Sequence, residues 1–270
     1  MTDRYAVIGN PVAHSLSPII HAEFARQTGA DIDYTRLLAP PGGFVASVDA
    51  FREQGGKGLN VTVPFKEDAY RYATACAVRA RDAQAVNTLR FDASSVFGDN
   101  TDGTGLVRDI RENIGATLSG LGILLLGAGG AARGVLAPLL AERPASLTLA
   151  NRTLDKAVAL ARRFDKGRVL ACSYAALAGK RFDLVINATS ASLAGESPPT
   201  PPGIFAAGSL AYDMMYGQGE TPFLARAKSE GAARLCDGLG MLVEQAAESF
   251  LVWRGVRPDT RDVLAQLRRA

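Results

Sequence analysis

A lysine and an aspartate in this chain have the chemistry of a proton-transfer pair. Residues 58–63 are predicted to form a strand, and Lys66 follows at its carboxyl end. Ligands of open α/β sheets bind at the carboxyl ends of strands. Asp102 lies in the turn-rich segment 99–103, and we expect it to face Lys66 across a cleft. A lysine at a strand end is commonly a solvated charge, whereas a Lys–Asp pair beside a substrate hydroxyl can move a proton.

Hydroxyl and amide side chains elsewhere predict a pocket for a small polar substrate. Ser15 and Ser17 stand two residues apart, just before a helix predicted to start at Pro18. One interpretation makes Ser17 the N-cap and Pro18 the first helical residue, which leaves Ser15 unexplained. The other is a neutral anion pocket of two hydroxyls and free helix N–H groups, sized for a substrate carboxylate. Asn87 follows the apolar residues 85–86, and its amide is suited to hold a hydroxyl.

An apolar run followed by a glycine-rich turn predicts a dinucleotide site. After the strand predicted at 123–126, Gly127 would make the tight exit and Gly129 would let the backbone approach a pyrophosphate. Ala132 stands where close packing of helix on strand is needed, and the helix starting near Ala131 would direct free N–H groups at the phosphates. Any tight strand–helix turn needs glycine as well, so the motif alone does not separate a ligand site from a structural turn.

The end of the next predicted strand favours NADP over NAD. About twenty residues after the glycines, strand 147–150 ends in Asn151, Arg152 and Thr153, where an NAD-preferring site has a carboxylate for the ribose. The planar fork of Arg152 suits a 2′-phosphate, and Lys156 adds a charge one helical turn later. The alternative is that both are solvated charges at a helix start.

Two series of alternating strands and helices must position these residues. The first has strands at 5–8, 34–38 and 58–63 with helices after Pro18 and at 44–54. The second has strands at 123–126, 147–150, 169–170, 184–187 and 210–213, with a helix at 154–164. Such alternation predicts an α/β fold with two open, mainly parallel sheets: an N-terminal α/β substrate domain and a Rossmann-type dinucleotide-binding domain.

The domain boundaries are predicted from the turn cluster at 99–103 and from the helical C-terminus. Leu242, Ala246, Phe250 and Trp253 recur at helical spacing with no strand of their own to pack on. We therefore expect the C-terminal helices to return to the first domain. The prediction is a substrate-binding and catalytic domain over 1–101, completed by helices of 238–270, and an NADP-binding domain over 102–237.

Composition and charge exclude several classes of protein. The net charge is only +3 over 270 residues, with Lys and Arg dispersed, which argues against nucleic-acid binding. The three cysteines and two histidines show no metal-ligand spacing, so no metal is predicted. No signal-peptide pattern or membrane-length apolar run is present, and a cytoplasmic enzyme is expected, as a monomer or homodimer.

Taken in order along the chain, these motifs resemble the shikimate dehydrogenase family over essentially the whole length. The matching segments are GNP at 9–11, HSLSP at 14–18, NVTVPFK at 60–66, AVNT at 85–88, NTDG at 100–103, GAGGA at 127–131, NRT at 151–153, NATS at 187–190, YDM at 212–214 and DGLGM at 237–241, with Gln245. So many matches in the same order are specific.

The resemblance implies a function and a set of site residues. It implies NADP-dependent, reversible reduction of 3-dehydroshikimate to shikimate, in chorismate and aromatic amino-acid biosynthesis. Lys66 and Asp102 would be the catalytic pair. The implied substrate residues are Ser15, Ser17, Thr62, Asn87, Asp102, Tyr216 and Gln245. The implied cofactor residues are Gly127, Ala128, Gly129, Gly130, Ala131, Asn151, Arg152, Thr153, Lys156, Thr189, Met214 and Gly238.

Two alternative functions fit the same residues, and the sequence departs from the family pattern at two places. A paralogue acting on quinate, or on both acids, possibly with NAD, would use the same ring-binding residues. An NADP-binding sensor with an inactive site is disfavoured because Lys66 and Asp102 are both present. Ala191 and Ser192 follow residues 187–190 where the family usually has a glycine within two residues, and Val78 stands where some members have a polar cofactor contact.

Overall fold

The computed structural model describes residues 2–164, 168–217 and 219–269. The chain divides into two compact units, Met1–Gly105 with Leu242–Ala270, and Leu106–Met241. The predicted boundaries, after residues 101 and 237, each fall four residues earlier than these. Both unit boundaries lie inside continuous helices, so no turn or change of composition marks them in the sequence.

Strands and helices alternate along both units. The strands are β1 (Asp3–Gly9), β2 (Ile32–Leu38), β3 (Gly56–Val61), β4 (Ala75–Cys76), β5 (Thr88–Phe91), β6 (Val96–Asp99), β7 (Gly122–Leu126), β8 (Ser146–Ala150), β9 (Val169–Cys172), β10 (Phe182–Asn187), β11 (Phe205–Asp213) and β12 (Arg234–Cys236). The helices are α1 (Ser17–Thr28), α2 (Phe44–Glu53), α3 (Lys66–Tyr72), α4 (Val78–Ala83), α5 (Asp102–Arg108), α6 (Gly130–Ala141), α7 (Leu154–Ala161), α8 (Pro222–Ser229), α9 (Leu239–Arg254) and α10 (Arg261–Leu267). A π-helical turn, Asp109–Asn113, continues α5.

The first unit contains a mixed sheet with the strand order β2-β1-β3-β5-β6-β4. β1 pairs in parallel with β2 and β3, whereas β5 is antiparallel to both of its neighbours. The hairpin β5–β6, which the sequence analysis did not predict, is closed by residues 92–95. A connection this short can join only antiparallel strands.

The second unit contains a parallel sheet with the order β12-β11-β10-β7-β8-β9. The chain starts in the middle at β7, moves outward to β9, and then returns to β10 beside β7. This is the strand order of a doubly wound Rossmann sheet, in which the ligand crevice lies at the point where the order reverses. The predicted fold class is confirmed for this unit.

Alternation within β7 explains why its apolar run is continuous. Ile123 and Leu125 pack in one core with Val135 of α6. Leu124 and Leu126 pack in a second core with Phe223 of α8. A strand with helices on both faces buries every side chain, so the run shows no apolar–polar alternation.

From Leu242 onward, the C-terminal helices belong to the first unit. The ring of Trp253, on α9, stacks on Tyr5 of β1 with centroids 4.6 Å apart. Its indole Nε1 donates a hydrogen bond to the Leu89 carbonyl at 2.9 Å. Helix α9 therefore covers the face of the first sheet that Tyr5, Val7 and Tyr34 present.

Several predicted limits are wrong by a few residues. The strand predicted at 58–63 is Gly56–Val61, and the helix predicted at 154–164 ends at Ala161. Ser17 is the first residue of α1 and not its N-cap, which is Leu16 with no capping side chain. Among the helices of the described chain, none is long and apolar enough to cross a membrane.

Candidate active site

The predicted substrate residues of the first unit lie beside one end of its sheet, where β1 and β3 terminate. β1 and β3 run in parallel and end together, with Ile8 paired to Val61. β5 is reversed, so it begins at this edge with Thr88 opposite Asn60, and β6 ends there with Asp99 opposite Thr88. The segments that follow or precede these strand ends contain Ser15, Thr62, Lys66, Asn87 and Asp102.

Lys66 and Asp102 form a direct, largely buried ion pair. Lys66 Nζ donates to Asp102 Oδ2 at 2.5 Å, and the two side chains are 17% and 5% exposed. Each residue is the first of its helix, α3 and α5. Lys66 follows Phe65, whose buried ring packs against Phe44 and anchors the helix start. Both members of the pair lie in the first unit, so the prediction that placed Asp102 in the second domain is corrected.

Asn87 holds the other oxygen of the Asp102 carboxylate. Its Nδ2 donates to Asp102 Oδ1 at 2.8 Å. Its Oδ1 accepts the backbone N–H of Thr101 at 2.9 Å. Because a backbone N–H can only donate, this bond fixes the amide so that Nδ2 points at the carboxylate. Gln245, from α9, joins the group through its Oε1, 3.2 Å from Asn87 Nδ2.

A buried hydrogen-bond network holds the Asn87 side chain in place. Asn60 Nδ2 donates to Ser249 Oγ at 2.9 Å. The Thr88 hydroxyl lies 2.7 Å from Ser249 Oγ and donates to Asn87 Oδ1 at 2.9 Å. Buried hydrogen-bond networks restrict the side chains that they join. Asn60, Thr88 and Ser249 therefore position Asn87 and, through it, Asp102.

His21 closes the far end of this network in its neutral form. Its Nε2 lies 3.2 Å from Asn60 Oδ1, which also accepts the Tyr34 hydroxyl at 2.7 Å. Since Asn60 Oδ1 can only accept, Nε2 has the proton. The His21 ring stacks on Tyr34 at a centroid distance of 4.2 Å, and burial lowers the pKa of His21 from 6.5 to about 3.

The buried histidine predicts a pH-dependent stability. The unfolded chain binds a proton at His21 below about pH 6.5, whereas the folded chain does not until about pH 3. The free energy of unfolding should therefore fall as the pH decreases from 6.5, by about 1.4 kcal/mol per pH unit from this group. Urea titrations at several pH values measure it. The slope should be smaller by that amount in His21→Gln and unchanged in His14→Gln, since His14 is exposed; equal slopes in all three proteins would contradict the assignment.

Ser15 and Ser17 form a small buried hydroxyl pair at the start of α1. Ser15 Oγ donates to Ser17 Oγ at 3.2 Å and accepts the Ser17 N–H at 3.3 Å. Ser15, and not Ser17, thus satisfies a backbone N–H at the helix start. Thr62 follows β3, and its methyl group occupies the space beside Gly9, where a Cβ would come within 2.3 Å of Thr62 Cγ2.

The glycine turn of the second unit has the geometry expected of a phosphate-binding turn. Gly127 has φ +106°, a conformation that favours glycine, and its N–H donates to the Ala150 carbonyl at 2.8 Å. Gly129 is the N-cap of α6, and a Cβ built on it would meet no described atom within 4 Å. Ala128, Gly130 and Ala131 complete the turn and the first residues of α6. Ala132 is fully buried, as the packing of helix on strand requires.

The predicted ribose-phosphate residues lie between β8 and α7. The Asn151 amide donates to the Thr153 carbonyl at 2.8 Å and closes the turn. Arg152, Thr153 and Lys156 are exposed, and Thr153 is the N-cap of α7. The turn therefore presents two cationic side chains to solvent next to the carboxyl end of β8.

Thr189 and Met214 lie on loops that are joined by hydrogen bonds to a buried aspartate, Asp213. Asp213 accepts hydrogen bonds from Asn187, Ser192, Thr221 and the Met215 N–H, and burial raises its pKa. The other amide atom of Asn187, Oδ1, accepts both the N–H and the hydroxyl of Thr189.

The remaining predicted residues of the second unit follow β11 and β12. A Cβ on Gly238 would come within 2.3 Å of the Met214 carbonyl oxygen, so only glycine fits there. Tyr216 is half-buried on the loop after β11, in the second unit, whereas the other predicted substrate residues are in the first. In the described parts of the chain, no group of three or more His, Cys, Asp or Glu side chains could hold a metal ion.

Comparison with known proteins identifies the family. Three family models match in order: shikimate dehydrogenase substrate binding domain over residues 7–89, shikimate / quinate 5-dehydrogenase over 109–194, and shikimate 5'-dehydrogenase C-terminal domain over 238–268. A protein of Aromatoleum aromaticum named shikimate dehydrogenase (NADP(+)) is 64% identical over 99% of this chain and 97% of its own. The chain belongs to the shikimate dehydrogenase family.

Solved structures show the same fold. An Ael1 enzyme from Pseudomonas putida is 49% identical, with a TM-score of 0.92 and 98% of each chain covered. The shikimate 5-dehydrogenase of Thermus thermophilus, solved in complex with NADP(H) and shikimate, is 32% identical, with a TM-score of 0.87 and 99% of each chain covered.

The two departures from the family pattern are locally accommodated. Residues 191–194 form one 3₁₀ turn that ends at Gly195, which has φ +73°. Ser192 Oγ donates to Asp213 Oδ2 at 2.8 Å, so a bond to the buried aspartate holds the turn where the family usually has glycine. Val78 is the first residue of α4 and is exposed.

The positioning residues of this shikimate dehydrogenase family member were not predicted from the sequence. Ser249 lies four residues after Gln245 on α9. The Gln245 side chain contacts Asn87, and the Ser249 side chain contacts Thr88 and Thr101. A spacing of four residues places side chains on the same helix face, and this spacing is the signal that points to Ser249. Thr88 and Asp213 lie inside quoted motifs, but their roles depend on contacts between distant segments.

Proposed function

We propose that the chain catalyses the NADP-dependent, reversible reduction of 3-dehydroshikimate to shikimate, a step of chorismate and aromatic amino-acid biosynthesis. The observation that carries the proposal is the buried Lys66–Asp102 pair, oriented by Asn87 at the carboxyl-end edge of the first sheet. The name of the Aromatoleum aromaticum relative and the ligands of the Thermus thermophilus structure support the same reaction.

The residues of the first unit would bind and orient the substrate. The Ser15 and Ser17 hydroxyls would hold the carboxylate, and Thr62, Asn87 and Gln245 would hold the ring hydroxyls. These side chains are uncharged, so the bound ring would be oriented by hydrogen bonds more than by net charge. Tyr216 of the second unit is proposed as a further substrate contact.

The second unit fits a dinucleotide phosphate. Gly127 permits the turn, the open space beside Gly129 admits a pyrophosphate, and α6 directs free N–H groups to it. Arg152 and Lys156 would bind the 2′-phosphate, and Asn151, Thr153, Thr189, Met214 and Gly238 would line the rest of the site. When bound, NADP supplies hydride transfer at its nicotinamide ring.

Lys66 and Asp102 would handle the proton. In the oxidation direction, the neutral amine of Lys66 would take the proton of the reacting hydroxyl and become the ammonium group, and in reduction the ammonium group would return that proton. The Asp102 carboxylate orients the ammonium group through the 2.5 Å bond. The same charge arrangement stabilises negative charge that develops on the substrate oxygen.

A steady-state assay tests the function. The purified chain is mixed with shikimate or quinate and with NADP or NAD, and reduced nicotinamide is followed by absorbance. We expect kcat/KM to be highest for shikimate with NADP. A higher value for quinate would support the quinate paralogue, a higher value with NAD would overturn the cofactor assignment, and NADP binding without turnover would support a sensor.

Ser15→Ala should raise the KM for shikimate about tenfold or more, with a smaller change in kcat. A hydrogen bond to a charged group contributes about 1.5–3 kcal/mol, and each 1.4 kcal/mol is tenfold in affinity. Ser47→Ala is the matched control, since the Ser47 hydroxyl donates to the carbonyl of Gly43, the N-cap of α2, away from the proposed site. Unchanged kinetics in Ser15→Ala would remove Ser15 from the site.

The proposed location follows from the metabolic role. We propose a cytoplasmic enzyme, supported by the biosynthetic family and by Cys76, Cys172 and Cys236, none of which forms a disulfide in the described parts of the chain. The assembly, monomer or homodimer, stays a prediction.

A further inference from the structure

Arg36, which the sequence analysis did not single out, contacts the proposed carboxylate site. Arg36 lies on β2, and its Nε and Nη2 donate to the Ser15 carbonyl oxygen at 3.0 and 2.6 Å. Ser15 is the residue whose hydroxyl both donates to Ser17 Oγ and accepts the Ser17 N–H. Two bonds from one rigid guanidinium therefore fix the peptide group that presents the hydroxyl pair.

Arg36 forms no ion pair with an acidic residue of the described chain. Among residues 2–164, 168–217 and 219–269, no carboxylate lies within 4.0 Å of its guanidinium nitrogens. Other arginines of the same unit are paired, such as Arg79 with Asp99 and Arg257 with Glu244. A guanidinium bound to a neutral carbonyl keeps its full positive charge, and its remaining N–H groups can still donate.

We propose that Arg36 is a positioning and charge-complementing residue for the substrate carboxylate. It holds the Ser15 peptide in place and adds a positive charge to a pocket of two neutral hydroxyls. This inference rests on the proposed function, because it takes the Ser15–Ser17 pair as the carboxylate site. A cation near an anionic group of the substrate lowers KM without entering the chemical step.

The test compares Arg36→Met, Arg36→Lys and the control Arg4→Met. Arg4 is matched because it lies in the same sheet and donates to a backbone carbonyl, that of Gln54, at 2.9 Å. Arg36→Met should raise the KM for shikimate about tenfold or more with kcat nearly unchanged. Arg36→Lys, which keeps the charge and loses the fork, should fall between wild type and Arg36→Met. Arg4→Met should stay within about twofold of wild type, as surface substitutions usually do.

Two further measurements separate the effect of the Arg36 charge from the effect of Arg36 on the position of the Ser15 peptide. Raising the salt concentration to about 0.5 M should raise the wild-type KM more than that of Arg36→Met, because salt screens the charge. With the uncharged methyl ester of shikimate, the KM ratio of Arg36→Met to wild type should fall towards one.

The outcomes distinguish this inference from the proposed function. If wild type turns over shikimate and Arg36→Met has the wild-type KM, or Arg4→Met raises KM equally, the role of Arg36 is overturned and the function stands. If the KM ratio of Arg36→Met to wild type is the same for the methyl ester as for shikimate, Arg36 acts only by holding the Ser15 peptide, and its charge role is overturned. Absence of wild-type turnover with shikimate would overturn the proposed function itself.

Discussion

Replacing Lys66 by alanine should lower kcat for shikimate oxidation about a hundredfold to ten-thousandfold, the range of positioned acid–base catalysis. Asp102→Ala should have an effect in the same range, because it removes the carboxylate that orients the Lys66 ammonium group. Lys66 is the first residue of a short helix, so we expect the fold to survive its replacement. Steady-state kinetics with saturating NADP measure the effect.

Controls separate lost chemistry from lost structure. Lys57→Ala removes an exposed lysine of the neighbouring β3 and should have wild-type kcat. Asp102→Asn removes the charge while it keeps the shape, which guards against misfolding of Asp102→Ala. Both Lys66→Ala and Asp102→Asn should still bind NADP with wild-type affinity. Near-normal turnover in Lys66→Ala would contradict the proposed role of the pair.

Arg152→Gln should weaken NADP about tenfold to over a hundredfold and leave NAD nearly unaffected. The arginine is exposed at the end of β8, so its removal takes away a charge-assisted contact to the 2′-phosphate and little else. Such contacts contribute about 1.5–3 kcal/mol. The ratio of the KM values for NADP and NAD, measured with saturating shikimate, reports this selectivity directly.

The matched control is Arg162→Gln. Arg162 is also exposed, but it lies at the C-terminal end of α7, whereas Arg152 precedes the helix. Its replacement should leave both KM values unchanged. An equal loss of affinity for NADP and NAD in Arg152→Gln would show that Arg152 contacts a part shared by both cofactors, and the 2′-phosphate assignment would be wrong.

The second unit was the more predictable half of the fold. Its strands are buried on both faces and read as continuous apolar runs, and glycine at 127 is required by a φ of +106°. These are local properties of short segments. The residues proposed for the cofactor come from such segments, apart from Thr189, Met214 and Gly238, which were assigned from the family resemblance.

The first unit shows where sequence reasoning stops. Proximity of Lys66 to Asp102 depends on the reversal at β5, and the hairpin that makes it was not predicted. Ser249 contacts Thr88, which donates to Asn87, across more than half the chain, because α9 returns to the first sheet. Contacts between distant segments are set by tertiary packing, which residue types and spacing do not determine. The N-cap assigned to Ser17 failed for a local reason, since the helix already includes that residue.

The double variant Lys66→Ala/Asp102→Ala tests most directly whether the buried pair acts as one proton-transfer unit. Residues that act together are non-additive, so the loss of kcat in the double variant should be little larger than that of either single variant. The account predicts this result with shikimate and NADP at saturation. Losses that multiply in the double variant would contradict it, because they would show that Lys66 and Asp102 do separate jobs.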